Sequence, residues 1–214
     1  MMRQQLRSQL RQQLRQQLRL PPVLLILALS GCGPLVQIGG NTPAPEALLT
    51  LSAAAVPRPY GGPAAVGETL SVAVPSVPAV LQTLRLPVTT SSVETSYLAG
   101  ASWAEQPARQ FQRVLADTLT ADGQAVIDAR TGAVPAARQL TGTLRSFGLD
   151  VSGAAVVRVR YDAQLAGPRG NGSVAIRRFD TEEPVSSQTP AAVAAALNRA
   201  ANRVAADVAA WVRG

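Results

Sequence analysis

The chain has 214 residues, with 20 arginines against 13 acidic side chains, a single cysteine, and neither lysine nor histidine. Those absences exclude a Ser-His-Asp triad, a Cys-His pair, a histidine metal site and a lysine Schiff base, and one cysteine excludes an intrachain disulfide. The net charge of +7 first suggests nucleic acid, but Arg3, Arg7, Arg11, Arg15 and Arg19 crowd an acid-free N-terminal stretch, and from Cys32 onward the balance is +2, too small for a nucleic-acid footprint.

Residues 1–19 are rich in Arg and Gln, Leu20 to Leu29 is apolar with an early Pro21-Pro22 interruption, and Ser30, Gly31 and Cys32 follow. Basic, apolar, small is the order of a secretory signal. The apolar run is about ten residues, well short of the roughly 20 that span a bilayer as a helix. Leu29-Ser30-Gly31-Cys32 resembles the bacterial lipobox. That resemblance implies that the Cys32 thiol takes a diacylglycerol, that residues 1–31 are cleaved away as a signal peptide, and that the new amine is acylated, for example with palmitate. Two or more acyl chains anchor stably where one does not. The other reading is an ordinary signal peptide with a chance cysteine. Leu6, Leu10, Leu14 and Leu18 recur every four residues, a stripe that as a helix opposes a cationic face. An extended signal region or an early start accounts for it; a membrane-surface helix or a transit peptide is the alternative. Gly33, where Asp resembles an inner-membrane retention signal, points to the outer membrane.

Residues 33–47, rich in Gly, Pro and Asn, read as a flexible tether with a reach on the order of 50 Å. Residues 48–214 are then one domain. Leu48–Ala54 is short and apolar and predicts a strand; Arg58–Gly67 is a loop. Thr69–Pro75 alternates, with Leu70, Val72 and Val74 on one face, closed by Pro75 and Pro78. Val80–Leu84 predicts a helical turn, and Leu86–Thr90 and Val93–Leu98 two weaker strands. Ser102-Trp103-Ala104-Glu105 has the form of a capping box, with Ser102 as N-cap and Pro107 in the first turn. Phe111, Val114, Leu115 and Leu119 continue at helical spacing, and Asp122-Gly123 ends a helix predicted over 103–121.

Ala125–Asp128 predicts a short strand. In Arg138–Val151, Leu140 and Leu144 share one parity and Phe147, Leu149 and Val151 the other, which predicts a long strand with a bulge near Arg145-Ser146. Ala154–Leu165 alternates, with Val157, Val159, Tyr161, Ala163 and Leu165 opposite Arg158, Arg160, Asp162 and Gln164. Asn171-Gly172 is a hairpin signal leading into Ser173–Phe179. These three strands form an antiparallel meander with one wet face. Thr189-Pro190 opens a closing helix whose stripe is Val193, Leu197, Ala200, Val204, Val208 and Trp211. The fold class is α+β: a single mixed or antiparallel sheet packed with two main helices.

Little in the chain carries chemistry. Glu182-Glu183 reads as a solvated loop; Asp117, Asp122 and Asp128 do not fit a calcium loop, and Gly61-Gly62 does not continue into a phosphate loop. A glycosidase built on carboxylates alone has no support from spacing. Trp103 and Trp211 each read as a core anchor at a helix end, with a partner interface as the alternative.

The ordered set of features resembles one family, the ABC-type transport auxiliary lipoproteins, and is similar to the lipoprotein of the paraquat-inducible Pqi system. The residues that carry the resemblance are Cys32 in its lipobox, the segment Leu48–Ala54, Leu70-Ser71-Val72-Ala73-Val74-Pro75, Trp103-Ala104-Glu105 with Val114-Leu115-Ala116, Phe147, and the Ala-rich helix Ala191–Val212. Ser102 stands where an Arg often precedes the Trp. The resemblance implies a non-enzymatic, cofactor-free component of an intermembrane lipid transport system. Its partners would be an ABC transporter complex and a periplasmic mammalian-cell-entry-domain protein, and in the Pqi-like case it would self-associate as a ring. It would be held by its lipid in the outer membrane, facing the periplasm. A plug or assembly factor for an outer-membrane barrel, or a periplasmic lipid carrier, are the other readings. The family has no catalytic residues to carry over.

Overall fold

The computed structural model describes residues 47–56, 58–59, 62–128, 135–167 and 172–214. Cys32, the signal segment and nearly all of the tether lie outside them. The elements are β1 (Thr69–Val72), β2 (Arg85–Ser91), β3 (Glu94–Ser102), α1 (Pro107–Ala121), β4 (Ala125–Ile127), β5 (Arg138–Asp150), β6 (Val156–Ala166), β7 (Val174–Pro184) and α2 (Pro190–Arg213), with short 3-10 turns at Val66–Glu68 and Ala79–Leu81. This is the α+β class the patterning predicts, a seven-stranded mixed sheet with two helices.

β5 organises the sheet. Along one edge it pairs antiparallel with β6 over its whole length, and β6 pairs antiparallel with β7. Along its other edge lie two short strands end to end. β1 runs parallel to Arg138–Leu140, β2 parallel to Leu149-Asp150, and a Ser76–Thr143 bridge sits between them. β4 extends the sheet beyond β1, and β3 beyond β2. The pairing of β5 with β6 shifts register between Leu144 and Ser146, where the change of parity demands a bulge. Leu140, Leu144, Phe147 and Leu149 therefore all point to the same face despite their broken alternation, and all are buried. Two glycines in β5 answer to close approach. A Cβ on Gly142 would stand 2.6 Å from the Tyr161 ring, and one on Gly148 would stand 2.5 Å from the Pro87 carbonyl oxygen.

Both helices help to bury the core. Phe111, Leu115 and Leu119 of α1, and Val193, Leu197, Val204 and Val208 of α2, are completely buried with Val157, Val159 and Tyr161 of β6. Each such side chain contributes roughly 1.5–3 kcal/mol. Ala196, Ala200, Ala201, Ala205 and Ala209 are buried too. A face of methyl groups lets the α2 backbone lie close to its neighbours. The few aromatics are concentrated in pairs: Trp103 with Phe147 at 5.6 Å, Phe111 with Tyr161 at 5.4 Å, and Phe179 with Trp211 at 5.7 Å.

Several boundaries differ from the sequence reading. The first helix starts at Pro107, with Gln106 as N-cap and no side-chain cap. Ser102 is the last residue of β3, so the apparent capping box is a strand end. Glu105 instead forms an ion pair with Arg113. The signal misled because the Trp103 side chain is drawn into the core while its backbone N–H donates to the Leu84 carbonyl at 2.7 Å. β1 ends at Val72, and Val74 is exposed. Val80–Leu84 supplies only the 3-10 turn. Thr189 is N-cap of α2 by backbone conformation, without a side-chain bond. Gly172 has φ of +58°, as a turn glycine should, while Asn171 lies outside the described residues. The strand after it continues to Pro184, five residues beyond Phe179.

Candidate docking surfaces

The segment Leu48–Ala54 is not a strand. It makes one parallel bridge, Leu49 to Trp103, and otherwise runs as an extended strap held by side-chain amides. Leu49 N–H donates to the Ser102 carbonyl at 2.8 Å, and Ala104 N–H donates to the Leu49 carbonyl at 2.9 Å. Leu51 N–H then donates to Gln110 Oε1 at 2.7 Å, Ser52 N–H to Asn198 Oδ1 at 2.9 Å, and Ala54 N–H to Asn202 Oδ1 at 2.6 Å. Asn202 Nδ2 returns a bond to the Ser52 carbonyl at 2.9 Å. An amide carries both a donor and an acceptor, so Asn198 and Asn202, one helical turn apart, stand in for a neighbouring strand. Leu49 and Leu51 pack against the core beneath. The sequence reading saw the apolar segment and missed its clamp. The available signal was a pair of Asn at i and i+4 on an otherwise Ala-rich helix.

The sheet face that carries Arg158, Arg160 and Asp162 is a lattice of cross-strand ion pairs. Arg158 reaches Glu182 at 2.8 Å and Asp150 at 3.4 Å. Arg160 donates to Asp180 at 2.8 Å. Arg178 grips Asp162 with two parallel bonds of 2.6 and 2.9 Å, and Arg145 adds a third at 2.9 Å. The Arg178 bonds, followed by those of Arg145, lower the Asp162 carboxyl to about 2. The bond from the Ser152 side chain, then Arg158, holds Asp150 below its usual range against a partial loss of solvation. Directly opposed unlike charges each contribute roughly 0.2–1 kcal/mol. A cleft of about 440 Å³ opens over β5 and β6, lined among others by Val80, Pro87, Arg145, Gly148, Arg158 and Arg160. Each of its arginines is already opposed by a carboxylate, so the cleft offers an anion little uncompensated charge.

Glu182 and Glu183 are not a solvated loop. Both lie in β7. Glu182 faces the ionic lattice, and Glu183 points to the other face, is buried, and meets Arg203 of α2 at 2.5 Å. Their opposite directions follow from strand alternation, and they cannot act as an adjacent acid/base couple. Trp103 is fully buried, as a core anchor should be. Trp211 is half-buried against Phe179, at the end of a groove between α2 and β7 that also includes Arg177 and Asp207. Among the described residues no three Cys, Asp or Glu side chains converge as a metal site, and no helix is long and apolar enough to cross a membrane.

A mixed sheet backed by two helices, with the segment before β1 strapped across the helices and one sheet face laced by cross-strand ion pairs, defines the class of this domain as α+β. Residues 49–209 match the family described as ABC-type transport auxiliary lipoprotein component, and the chain belongs to that family. The match begins at the strap and ends inside α2. A Xanthomonas campestris protein of known crystal structure is 22% identical, over 78% of this chain and 94% of its own, with a TM-score of 0.63. A second crystal structure, of an uncharacterized protein, is 18% identical over 78% and 99%, with a TM-score of 0.59. These likenesses show the fold. The PelC dodecamer from Paraburkholderia phytofirmans overlaps more loosely, at 15% identity over 69% and 93% and a TM-score of 0.39. No curated protein sequence matches significantly.

Proposed function

We propose that this chain is an outer-membrane lipoprotein, anchored through Cys32 and facing the periplasm, that acts as the non-enzymatic docking component of an ABC-type system moving lipids between membranes. Its partner in that reading is a mammalian-cell-entry-domain protein. The observation that carries it is the family match from strap to final helix, preceded by the lipobox and a tether. Membership makes the chain an auxiliary component of ABC-type transport and a lipoprotein of the cell envelope. The surface chemistry is consistent with binding rather than turnover. The Asp162 carboxyl, held at about 2 by its arginines, is far from the range useful for general acid–base work near neutral pH.

The test is affinity capture of the tagged chain from solubilised membranes. The expected result is recovery of a protein bearing a mammalian-cell-entry domain together with transporter subunits. Capture of an outer-membrane barrel alone would overturn the docking reading in favour of a plug or assembly factor. Phospholipid extracted in stoichiometric amount from the chain after delipidation would instead favour a carrier.

A further inference from the structure

The strap stands between the tether and β1, so a pull from the N-terminal side reaches the sheet only through it. Leu49 makes its one bridge, to Trp103. Beyond Leu49 the grip comes from the side-chain amides of Gln110, Asn198 and Asn202, whose bonds of 2.6 to 2.9 Å all go to the strap's backbone. Asn198 and Asn202 are only half-buried, so water can replace the strap at their amides at little net cost. Gln110 is buried, and its second bond, to the Glu105 carbonyl at 2.7 Å, does not involve the strap. Lifting the strap therefore breaks no pairing among β1 to β7, whereas a strand torn from a sheet leaves a row of unpaired backbone groups. Beyond it the described residues from Val56 to Ala65 are all exposed. A local turn, with Glu68 N–H donating to the Ala65 carbonyl at 2.9 Å, leads into β1. Among the described residues the next buried one is Thr69, where the sheet begins.

We propose that the strap is a latch, held by Gln110, Asn198 and Asn202 against α1 and α2, whose release lengthens the tether while the sheet stays folded. Segments that open below the global unfolding limit are those with few buried apolar contacts and exposed hydrogen bonds. The strap has both properties: Leu49 and Leu51 are partly buried, and Leu48, Thr50, Ser52 and Ala54 are exposed. A pull on the tether loads Leu49 first, then Leu51, Ser52 and Ala54 in turn. With the latch closed, residues 33–48 separate Cys32 from the first bonded residue, and their reach is at most about 55 Å. With it open, residues 33–65 precede the turn into β1, and the limit rises to about 110 Å. The domain can then follow a distant partner at twice the range without unfolding. The change in reach rests on Cys32 being the anchor, as proposed above; the latch itself does not.

The test stretches the full, unlipidated chain in optical tweezers between its single thiol, Cys32, and residue 214. The expected record has a reversible first step of at most about 60 Å, the length of residues 49–65, at a lower force than the step in which the sheet opens. Asn198→Ala combined with Asn202→Ala should raise the open fraction at a given load at least about tenfold and leave the sheet-opening force unchanged. A record with no step before the sheet opens, or a first step indifferent to the two substitutions, would overturn the latch. So would substitutions that weaken both steps equally, since the strap would then belong to the core. Lipid plays no part in this measurement, so a failure here leaves the acylation of Cys32 standing, and a failed acylation leaves the latch standing.

Discussion

Ala54 donates its backbone N–H to the Asn202 side chain at 2.6 Å, across 148 residues of sequence. The same amide returns a bond to Ser52, so one side chain on α2 holds the strap at two points. Asn202→Ala should cost about 1 kcal/mol, because both lost bonds lie at the surface where water replaces them. Hydrogen exchange in residues 49–56 should accelerate well beyond that of the sheet. Unchanged exchange would mean that Leu49 and Leu51 hold the strap by packing alone.

Gly148→Ala should destabilise the domain by roughly 1–3 kcal/mol, the range for overpacking a filled site. Its Cβ would collide with the Pro87 carbonyl oxygen at 2.5 Å, a backbone atom that cannot swing aside. Gly142→Ala meets the Asp162 carbonyl oxygen at 2.3 Å and the Tyr161 ring, and should cost at least as much. Gly153→Ala, with nothing within 4 Å of its Cβ, is the control and should be close to neutral. Thermal unfolding of the three variants checks the order.

Acid should weaken the sheet through Asp162. Its carboxyl is lowered from 3.8 to about 2 by the Arg178 and Arg145 bonds. A depressed carboxyl contributes stability that is fully present above the unfolded value and is lost as the pH falls from about 4 through about 2. For a surface group screened by water the contribution is on the order of 1 kcal/mol. Denaturant titrations should show Asp162→Asn flattening that part of the stability profile while leaving the curve above pH 5 parallel to the parent's. A profile that stays as steep in the variant would assign the acid sensitivity elsewhere.

The two tryptophans should separate cleanly. Trp103 is fully buried, and Trp103→Ala should cost about 3–5 kcal/mol, the range for emptying a large aromatic site. Its Nε1 has no hydrogen-bond partner, so Trp103→Phe should retain most of the stability. Trp211→Ala loses a half-exposed contact with Phe179 and should cost less. Equal losses at the two positions would contradict the packing.

Cys32→Ser should abolish metabolic labelling by fatty acid and block maturation, leaving the precursor at its full length. Normal processing of that variant would refute the lipobox reading.

The sequence made the periodic parts of this fold legible and the negotiated parts obscure. The bulge in β5 could be read because parity changes between Leu144 and Phe147, and a sheet has one way to keep both on the same face. The alternation of β6 and the stripe of α2 were visible for the same reason. Ser102 and Glu105 satisfied a local capping rule that lost to the burial of Trp103. Leu48–Ala54 looked like a strand because it is extended and apolar; its partners are side chains 59 to 150 residues away, which no local pattern reports. Glu182 and Glu183 looked like one feature and are two, since adjacent strand residues face opposite ways. Of the candidate surfaces, the charged face was evident as a wet face, while its pairing needed the register.

β1 and β2 lie end to end on an edge of β5, paired with residues that follow them by 68 and 61 positions in the chain. They pair with it in parallel, which no short turn can arrange. The last third of the chain, by contrast, is a meander closed by adjacent hairpins. Non-local pairing is slow because the connecting loop must be closed before any contact rewards it. In the first half only the β2–β3 hairpin is local, and Leu70, Val72 and Leu86 lie on strands that reach their place in the sheet through β5. A chain truncated before Arg138 keeps the β2–β3 and β1–β4 pairings but has no β5 to join them into one sheet.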